Sequence, residues 1–211
     1  MLQNSENTNK PRFVAQSIIS KYNLEKQISI YFDEILKYNQ KVNIVSRETI
    51  LEDLMAIAAD SLIPFEFIPP PEGNIFDIGP GAGFPSVVIM IAFPNLQGWL
   101  IERTGKKVAF LKQIVRQLKL SANIEKSNFI EIGTEAASRS FDFGFMKLVR
   151  PDSKLLQTAF DILKPAGKFI YYSDIKNSSA NIPGNIKFQR YKYFLDKSNR
   201  LRTITVFSKT S

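Results

Sequence analysis

The stretch IFDIGPGAGFPS, residues 75–86, decides the fold that this sequence predicts. A short apolar run containing Asp77 is followed by Gly79, Gly81 and Gly83 at alternate positions. Glycine accepts positive φ angles without a Cβ penalty and allows a ligand to touch the backbone. A tight turn would need only one glycine. Three glycines, with an acid two residues ahead of the first, therefore favour a nucleotide-like ligand at the end of a strand.

The chain around this loop alternates short apolar runs with amphipathic stretches. Strands are predicted at NIFDI, LQGWLIE, near NIEKSNFIEI, FDFGFMKLV and GKFIYYS, and helices at FPSVVIMIAF, GKKVAFLKQIVRQLKL and SKLLQTAFDIL. Such alternation predicts an α/β, Rossmann-like fold, in which a mostly parallel sheet carries helices on both faces. The runs NIKFQRYKYFL and RLRTITVFSK flank DKSN, so we expect an antiparallel C-terminal hairpin at an edge of the sheet.

The N-terminal part of the chain is predicted to be helical. The segments LEKQISIYFDEILKYNQKVN and SRETILEDLMAIAADSLIPF both place apolar residues at helical spacing, and Ser46 is the expected N-cap of the second. The prolines of IPPPEG, residues 68–73, then end the helical region. We expect residues 1–12 to be a disordered lead-in, residues 13–70 to form a helical cap, and residues 74–211 to form the α/β core of one integrated domain.

The composition excludes several kinds of chemistry. The chain of 211 residues contains no cysteine and no histidine, which excludes disulfides, thiolate metal sites, an imidazole base and an ordinary zinc site. No apolar run approaches the ~20 residues of a membrane span. The polar start MLQNSENTNK does not resemble a secretory signal. We therefore expect a cytoplasmic protein that binds no metal and acts as a monomer.

The positive charge indicates a polyanionic partner. The net charge is +8, with 28 Lys and Arg against 20 Asp and Glu, and nucleic acid is the commonest polyanion. Residues 103–126 and 187–209 each contain seven basic residues and one acid. Arg103, Lys106 and Lys107 follow the second strand of the core and are candidates for contact with phosphates. A solvated helix face is the simpler interpretation of Lys112, Arg116 and Lys119.

The spacing of the loop bears on the class of ligand. Dinucleotide-binding loops read G-x-G-x-x-G, whereas this loop reads G-x-G-x-G with Pro85 close behind. Asp77 would repel a pyrophosphate, but it suits a ligand with a positive group, such as S-adenosylmethionine. Glu102, at the end of the second strand, can accept both hydroxyls of an adenosyl ribose. Glutamate also occurs in nicotinamide enzymes, so a nicotinamide oxidoreductase on a related sheet is the alternative.

Three segments together resemble a known family. DIGPGAGFP, LIERTGKKVAFLKQ and KYNQKVNIVS match motifs of the 16S rRNA (guanine-N7) methyltransferases, also called glucose-inhibited division protein B. The resemblance covers roughly residues 20–209. It implies a class I S-adenosylmethionine-dependent methyltransferase that acts on N7 of a guanine in the 530-loop of 16S rRNA. The implied partner is 16S rRNA or the small ribosomal subunit.

The glycine loop, the basic residues around it and the resemblance together indicate the candidate site residues. Those for the cofactor, S-adenosylmethionine, are Asp77, Gly79, Gly81, Gly83, Phe84, Glu102, Phe129, Ile130 and Lys147. Those for RNA are Arg103, Lys106, Lys107 and Arg150. Guanine N7 is an exposed lone pair, so no general base is expected, and Lys147, Arg150 and Asp60 are positioning candidates. Tyr171 and Tyr172 are candidates for stacking on the purine, although packing at the strand edge is the simpler interpretation of both.

Two segments depart from the family pattern. The family has R-H-[IL]-x-D-S at the end of its N-terminal helices, whereas this chain has Ala56 and Ile57 in place of the basic pair. The fifth strand of the family ends in lysine and glycine, where this chain has Ser173 and Asp174. These changes leave two alternatives: a relative that binds cofactor or RNA without transfer, and a methyltransferase with a different nucleic-acid target.

Overall fold

The computed structural model describes residues 10–132 and 140–209, which form one mixed sheet covered by helices. The strands are β1 (Arg12–Phe13), β2 (Asn74–Ile78), β3 (Gln97–Ile101), β4 (Ala122–Glu125), β5 (Phe141–Met146), β6 (Leu163–Tyr171), β7 (Ile186–Leu195) and β8 (Arg202–Lys209). The helices are α1 (Ala15–Lys21), α2 (Glu25–Asn39), α3 (Leu51–Leu62), α4 (Ser86–Ala92), α5 (Gly105–Gln117) and α6 (Ser153–Asp161). None of the helices in these ranges is both long and apolar enough to cross a bilayer.

The strand order is β1-β7-β8-β6-β5-β2-β3-β4. Strands β2 to β6 pair in parallel, and β8 is antiparallel to both β6 and β7. The predicted mostly parallel sheet and the antiparallel hairpin are therefore confirmed. The hairpin lies at the predicted side of the sheet, with β8 between β6 and β7. The structure adds the short strand β1, which pairs in parallel with β7 and is the outermost strand.

Both faces of the central strands β2, β3 and β5 are largely buried, as their near-continuous apolar sequences predict. Ile75 of β2 packs in the cluster that contains helices α1 to α5, whereas Phe76 packs in the cluster that contains α6. The alternation continues in β3, where Trp99 and Leu100 belong to opposite faces. Because the strands are covered on both sides, their side chains stabilise the core, and only the strand ends are free to build a site.

The N-terminal helices pack on the α/β core. Tyr31 of α2 is fully buried and donates a hydrogen bond of 2.6 Å to the carbonyl oxygen of Ala82 in the glycine loop. The second long helix, α3, begins at Leu51, so the predicted N-cap Ser46 was wrong. Ser46 lies in a turn, and the carboxylate of Asp53 accepts the N–H of Ile50 at the true helix start.

The predicted disordered lead-in extends too far toward the core. Arg12 and Phe13 form β1, in register with Phe194 and Leu195 of β7, and the Arg12 guanidinium donates to the carbonyl oxygen of Asp196 at 2.6 Å. Residues 1–9 of that predicted lead-in lie outside the described residues.

Candidate functional site

A cavity of about 1010 Å³ opens at the carboxyl ends of β2, β3 and β5. This edge of a parallel sheet is where ligands bind in open α/β folds. The glycine loop, the end of β3 and residues 127–129 line one part of it. The wall from the N-terminal region consists of Ile44, Val45, Ser46, Thr49, Ile57 and Asp60. The N-terminal helices therefore help to build the site as well as to cover the core.

The three glycines of the loop have different roles. All have positive φ, 69° at Gly79, 63° at Gly81 and 108° at Gly83. A Cβ atom on Gly83 would lie 2.6 Å from Cγ2 of Val87 and 2.7 Å from the Tyr31 hydroxyl, so this glycine allows close packing. A Cβ on Gly81 would meet only Lys107 Nζ within 4 Å among the described residues, at 3.8 Å. Gly79 and Gly81 line the cavity, whereas Gly83 does not.

Asp77 supports the loop from behind. Its carboxylate is fully buried, does not line the cavity, and accepts the N–H of Ser86 at the start of α4 at 3.2 Å. Its Oδ1 has no hydrogen-bond partner among the described residues. Burial raises the pKa of Asp77 to about 8, and the charge of Glu102 adds to the rise. The sequence-based interpretation of Asp77 as a residue that touches the ligand therefore lacks support from its position.

The buried Asp77 predicts a pH dependence of stability in the unliganded protein. A carboxyl group with a raised pKa favours the folded state when it is neutral, and that contribution is lost as the pH rises toward the folded value of about 8. In the parent protein, Asp77 should lower the free energy of unfolding by up to about 1.4 kcal/mol per pH unit between about pH 4 and pH 8, and Asp77→Asn should abolish this pH-dependent loss. Urea denaturation of both proteins measures this difference, and parallel pH profiles would contradict it.

Glu102 joins the loop to the end of β3. The side chain is only 4% exposed and lines the cavity. Its Oε2 accepts the N–H of Gly81 at 3.1 Å, and its Oε1 accepts the N–H of Thr104 at 2.8 Å. A carboxylate oxygen has two lone pairs, so both oxygens can still accept from ligand hydroxyls. Glu102 thus fixes the loop and remains able to bind a ligand.

Replacing Glu102 tests this double role. We expect Glu102→Ala to weaken binding of S-adenosylmethionine by ~1–3 kcal/mol, because partners on the ligand and on the loop lose their acceptor. Glu102→Gln retains one acceptor oxygen and should lose less. Isothermal titration of the folded variants measures the affinity. Equal affinities for all three proteins would show that Glu102 has no part in the site.

The segment after β4 supplies an apolar surface. The Phe129 ring is buried, stacks on Phe76 at a centroid distance of 5.7 Å, and lines the cavity. Ile130 does not line it, since its side chain packs with the α6 cluster and its N–H binds Oδ1 of Asn128. Ser127 and Asn128 line the cavity and were missed, although polar residues directly after a strand of this sheet edge could have indicated them.

A cluster of ion pairs lies in the cavity wall at the end of β5. Asp60 Oδ2 lies 2.6 Å from Lys147 Nζ, and its Oδ1 accepts from Arg202 at 3.0 Å and from the Tyr193 hydroxyl. Burial alone would raise the pKa of Asp60, but the charges of Lys147 and Arg202 and the donated hydrogen bonds outweigh it and hold the pKa below its ordinary value. The cluster joins α3 to β5, β7 and β8.

The two tyrosines at the end of β6 differ in position. Tyr171 is buried in the α6 cluster, so packing explains it. Tyr172 lines the cavity, donates to the carbonyl oxygen of Ser61 at 2.7 Å, and holds its ring 4.8 Å from Lys147 Nζ. Of the two candidates for stacking, only Tyr172 therefore reaches the cavity.

Basic side chains surround the cavity. Arg103, Lys107 and Arg150 line it as predicted, whereas the exposed Lys106 does not. Arg200 and Arg202 also line it; both belong to the basic cluster of residues 187–209, but no motif indicated them individually. The basic residues of the lining are Arg103, Lys107, Lys147, Arg150, Arg200 and Arg202, and the acids are Asp60, Glu102 and Asp174. The lining therefore carries more positive than negative charge.

The fold and the cavity at its carboxyl edge define the class of protein. The chain is similar to the rRNA methylase from Streptococcus thermophilus, with a TM-score of 0.55, 10% identity and coverage of 74% of this chain and 97% of that one. It is also similar to cofactor-bound Rv0187 from MTB, with a TM-score of 0.62, 9% identity and coverage of 88% and 90%. The fold is that of the class I methyltransferases.

Sequence comparison identifies the family. The model described as rRNA small subunit methyltransferase G matches residues 24–201. Ribosomal RNA small subunit methyltransferase G of Mycoplasma capricolum is 31% identical over 160 residues, 73% of this chain and 69% of that protein. The protein of the same name from Lactobacillus delbrueckii subsp. bulgaricus is 27% identical over 219 residues, 94% and 91% of the two chains. The chain belongs to the rRNA small subunit methyltransferase G family, which confirms the resemblance.

Proposed function

We propose that this protein transfers a methyl group from S-adenosylmethionine to N7 of a guanine in 16S rRNA, in the 530-loop of the small ribosomal subunit. One observation carries the proposal: a single cavity combines the glycine loop and Glu102 with a basic lining and a wall from the N-terminal helices. Family membership supports the RNA substrate. We also propose that the protein works in the cytoplasm as a monomer.

The residues of the cavity fit S-adenosylmethionine. The backbone at Gly81 leaves open space, Glu102 offers acceptors for ribose hydroxyls, and the buried Phe129 offers an apolar surface for adenine. Membership of the rRNA small subunit methyltransferase G family is the argument against a nicotinamide dinucleotide. When bound, S-adenosylmethionine supplies an electrophilic methyl group on a positively charged sulfonium.

The chemistry requires alignment rather than proton transfer. Guanine N7 presents a free lone pair, so the side chains of the cavity need only hold the purine and the methyl donor in line and exclude water. Lys147 is buried and bound to Asp60, which restricts it to positioning. Arg150 is exposed and lines the cavity, and among the described residues no ion pair engages it. We therefore assign contact with the RNA to Arg150 and structural support to Lys147.

The basic lining suits the phosphates of an RNA. Arg103, Lys107 and Arg200 extend the positive charge from the cofactor side of the cavity to the β7–β8 hairpin. Phosphate contacts of this kind make binding weaken steeply with salt. Asp174, one of the departures from the family pattern, is paired with Arg190 at 3.2 Å, which offsets its negative charge. This pairing favours an active enzyme over a relative that has lost transfer.

Transfer of label tests the proposal. Purified protein is incubated with tritiated S-adenosylmethionine and small subunits from cells that lack the modification. We expect label in 16S rRNA, and none with modified subunits. RNA binding without label would favour the non-catalytic relative, whereas label in another RNA would favour a different target. Binding of NAD but not of S-adenosylmethionine would overturn the cofactor assignment.

A further inference from the structure

Leu148 is the most exposed of the large apolar residues that the structure describes. Its side chain is 96% exposed, and it lines the mouth of the cavity directly after β5. Its φ is 60°, in the left-handed region that branched side chains rarely adopt. Exposure and strained backbone thus coincide at one residue, beside the proposed cofactor site.

The neighbours of Leu148 hold it in this conformation. On one side, Lys147 is fixed by its ion pair with the buried Asp60. On the other side, Val149 packs so closely on the loop that a Cβ on Gly79 would lie 3.0 Å from its Cγ2. With both neighbours anchored in the protein, the Leu148 side chain points away from the core. Strained residues that are held by their surroundings are characteristic of functional sites.

We propose that the Leu148 side chain packs on the face of the target purine and positions it for methyl transfer. A nucleobase offers a flat apolar face, and enzymes that act on bases hold them between apolar or aromatic side chains. Leu148 is next to the end of β2, where the glycine loop begins, because β5 pairs with β2 in the sheet. This inference rests on the proposed function for the nature of the base.

Kinetics with matched variants test the role. Leu148→Gly removes the side chain and suits the positive φ, so it should not unfold the protein. We expect kcat/KM for unmodified small subunits to fall about tenfold or more in Leu148→Gly and Leu148→Ala. Affinity for S-adenosylhomocysteine should be unchanged, and Leu148→Met should retain activity. Leu51→Ala, at an exposed leucine outside the cavity lining, is the control. Values of kcat/KM within about twofold of the parent for both Leu148→Gly and Leu148→Ala would overturn the proposal.

A second measurement detects the contact between Leu148 and the purine without requiring methyl transfer. The δ-methyl resonances of Leu148 are assigned by their loss in Leu148→Met. A guanine-containing oligoribonucleotide is then added with S-adenosylhomocysteine, and an oligonucleotide abasic at that guanine serves as the control. Stacking on the purine should shift the Leu148 methyls upfield with the first oligonucleotide only. Absence of binding, or binding without that shift, overturns the contact. If the parent transfers no label but the shift is seen, the proposed reaction fails and the base contact stands.

Discussion

Gly81→Val is expected to abolish binding of S-adenosylmethionine while the protein remains folded. At φ 63° any side chain is strained, and the Cβ would project toward Lys107 and the cavity rather than into the core. The valine would therefore occupy the space of the ligand. Gly184→Val is the matched control, because a Cβ there meets no described atom within 4 Å and its φ is not in the left-handed region.

Isothermal titration with S-adenosylmethionine and thermal unfolding measure the two parts of this prediction. We expect no detectable heat of binding for Gly81→Val and parent-like affinity for Gly184→Val. Both variants should unfold cooperatively. A folded Gly81→Val protein that binds the cofactor as tightly as the parent would show that the loop is structural only.

Asp60→Ala is expected to cause the largest loss of stability, about 3–5 kcal/mol in the free energy of unfolding. The substitution leaves Lys147 buried without its partner and removes the acceptor of Arg202 and Tyr193. It also removes one of the links between α3 and the sheet, whereas the hydrogen bond from Tyr172 to Ser61 and the apolar packing of α3 remain. Urea denaturation at neutral pH measures the change.

Glu66→Ala is the control for the buried pair. Its ion pair with Lys21 has a length of 2.7 Å, similar to that of Asp60 with Lys147, but the lysine side chain is half exposed. Exposed pairs contribute roughly 0–1 kcal/mol, so this variant should remain close to the parent. If Asp60→Ala lowers the free energy of unfolding no more than Glu66→Ala does, the buried cluster does not stabilise the fold as expected.

The sequence was sufficient to predict the alternation of strands and helices and the place of the glycine loop. The spacing of apolar residues that distinguishes a strand from a helix is a local property of the sequence. The glycine loop is equally local because it follows its strand directly. The structure adds β1 and the insertion of β8 between β6 and β7. Those features depend on pairing between distant segments, such as Arg12 with Phe194, which no local pattern specifies.

The position of the candidate site could be predicted from the sequence, but the separate roles of its residues could not. Gly81 and Gly83 look alike in sequence, and the approach of Val87 and of Tyr31, which comes from the distant helix α2, assigns Gly83 to packing. In the same way, Lys147 and Asp60 are separated by 87 positions, so their ion pair could not be inferred from spacing. Sequence patterns selected many of the residues that line the cavity, whereas long-range contacts separate those that support the loop from those that face the open space.

The chemical position of the transferred methyl group distinguishes guanine-N7 methylation from every other reaction that this fold could support. Small subunits lacking the modification are treated with the protein and S-adenosylmethionine. One portion of the 16S rRNA is digested to nucleosides for mass spectrometry. A second portion is treated with borohydride and aniline, which cleave the chain at 7-methylguanosine. We predict 7-methylguanosine and a single new cleavage site in the 530-loop, both absent with Gly81→Val. Methylation at another atom or in another RNA, or none by a protein that binds cofactor, would contradict the account.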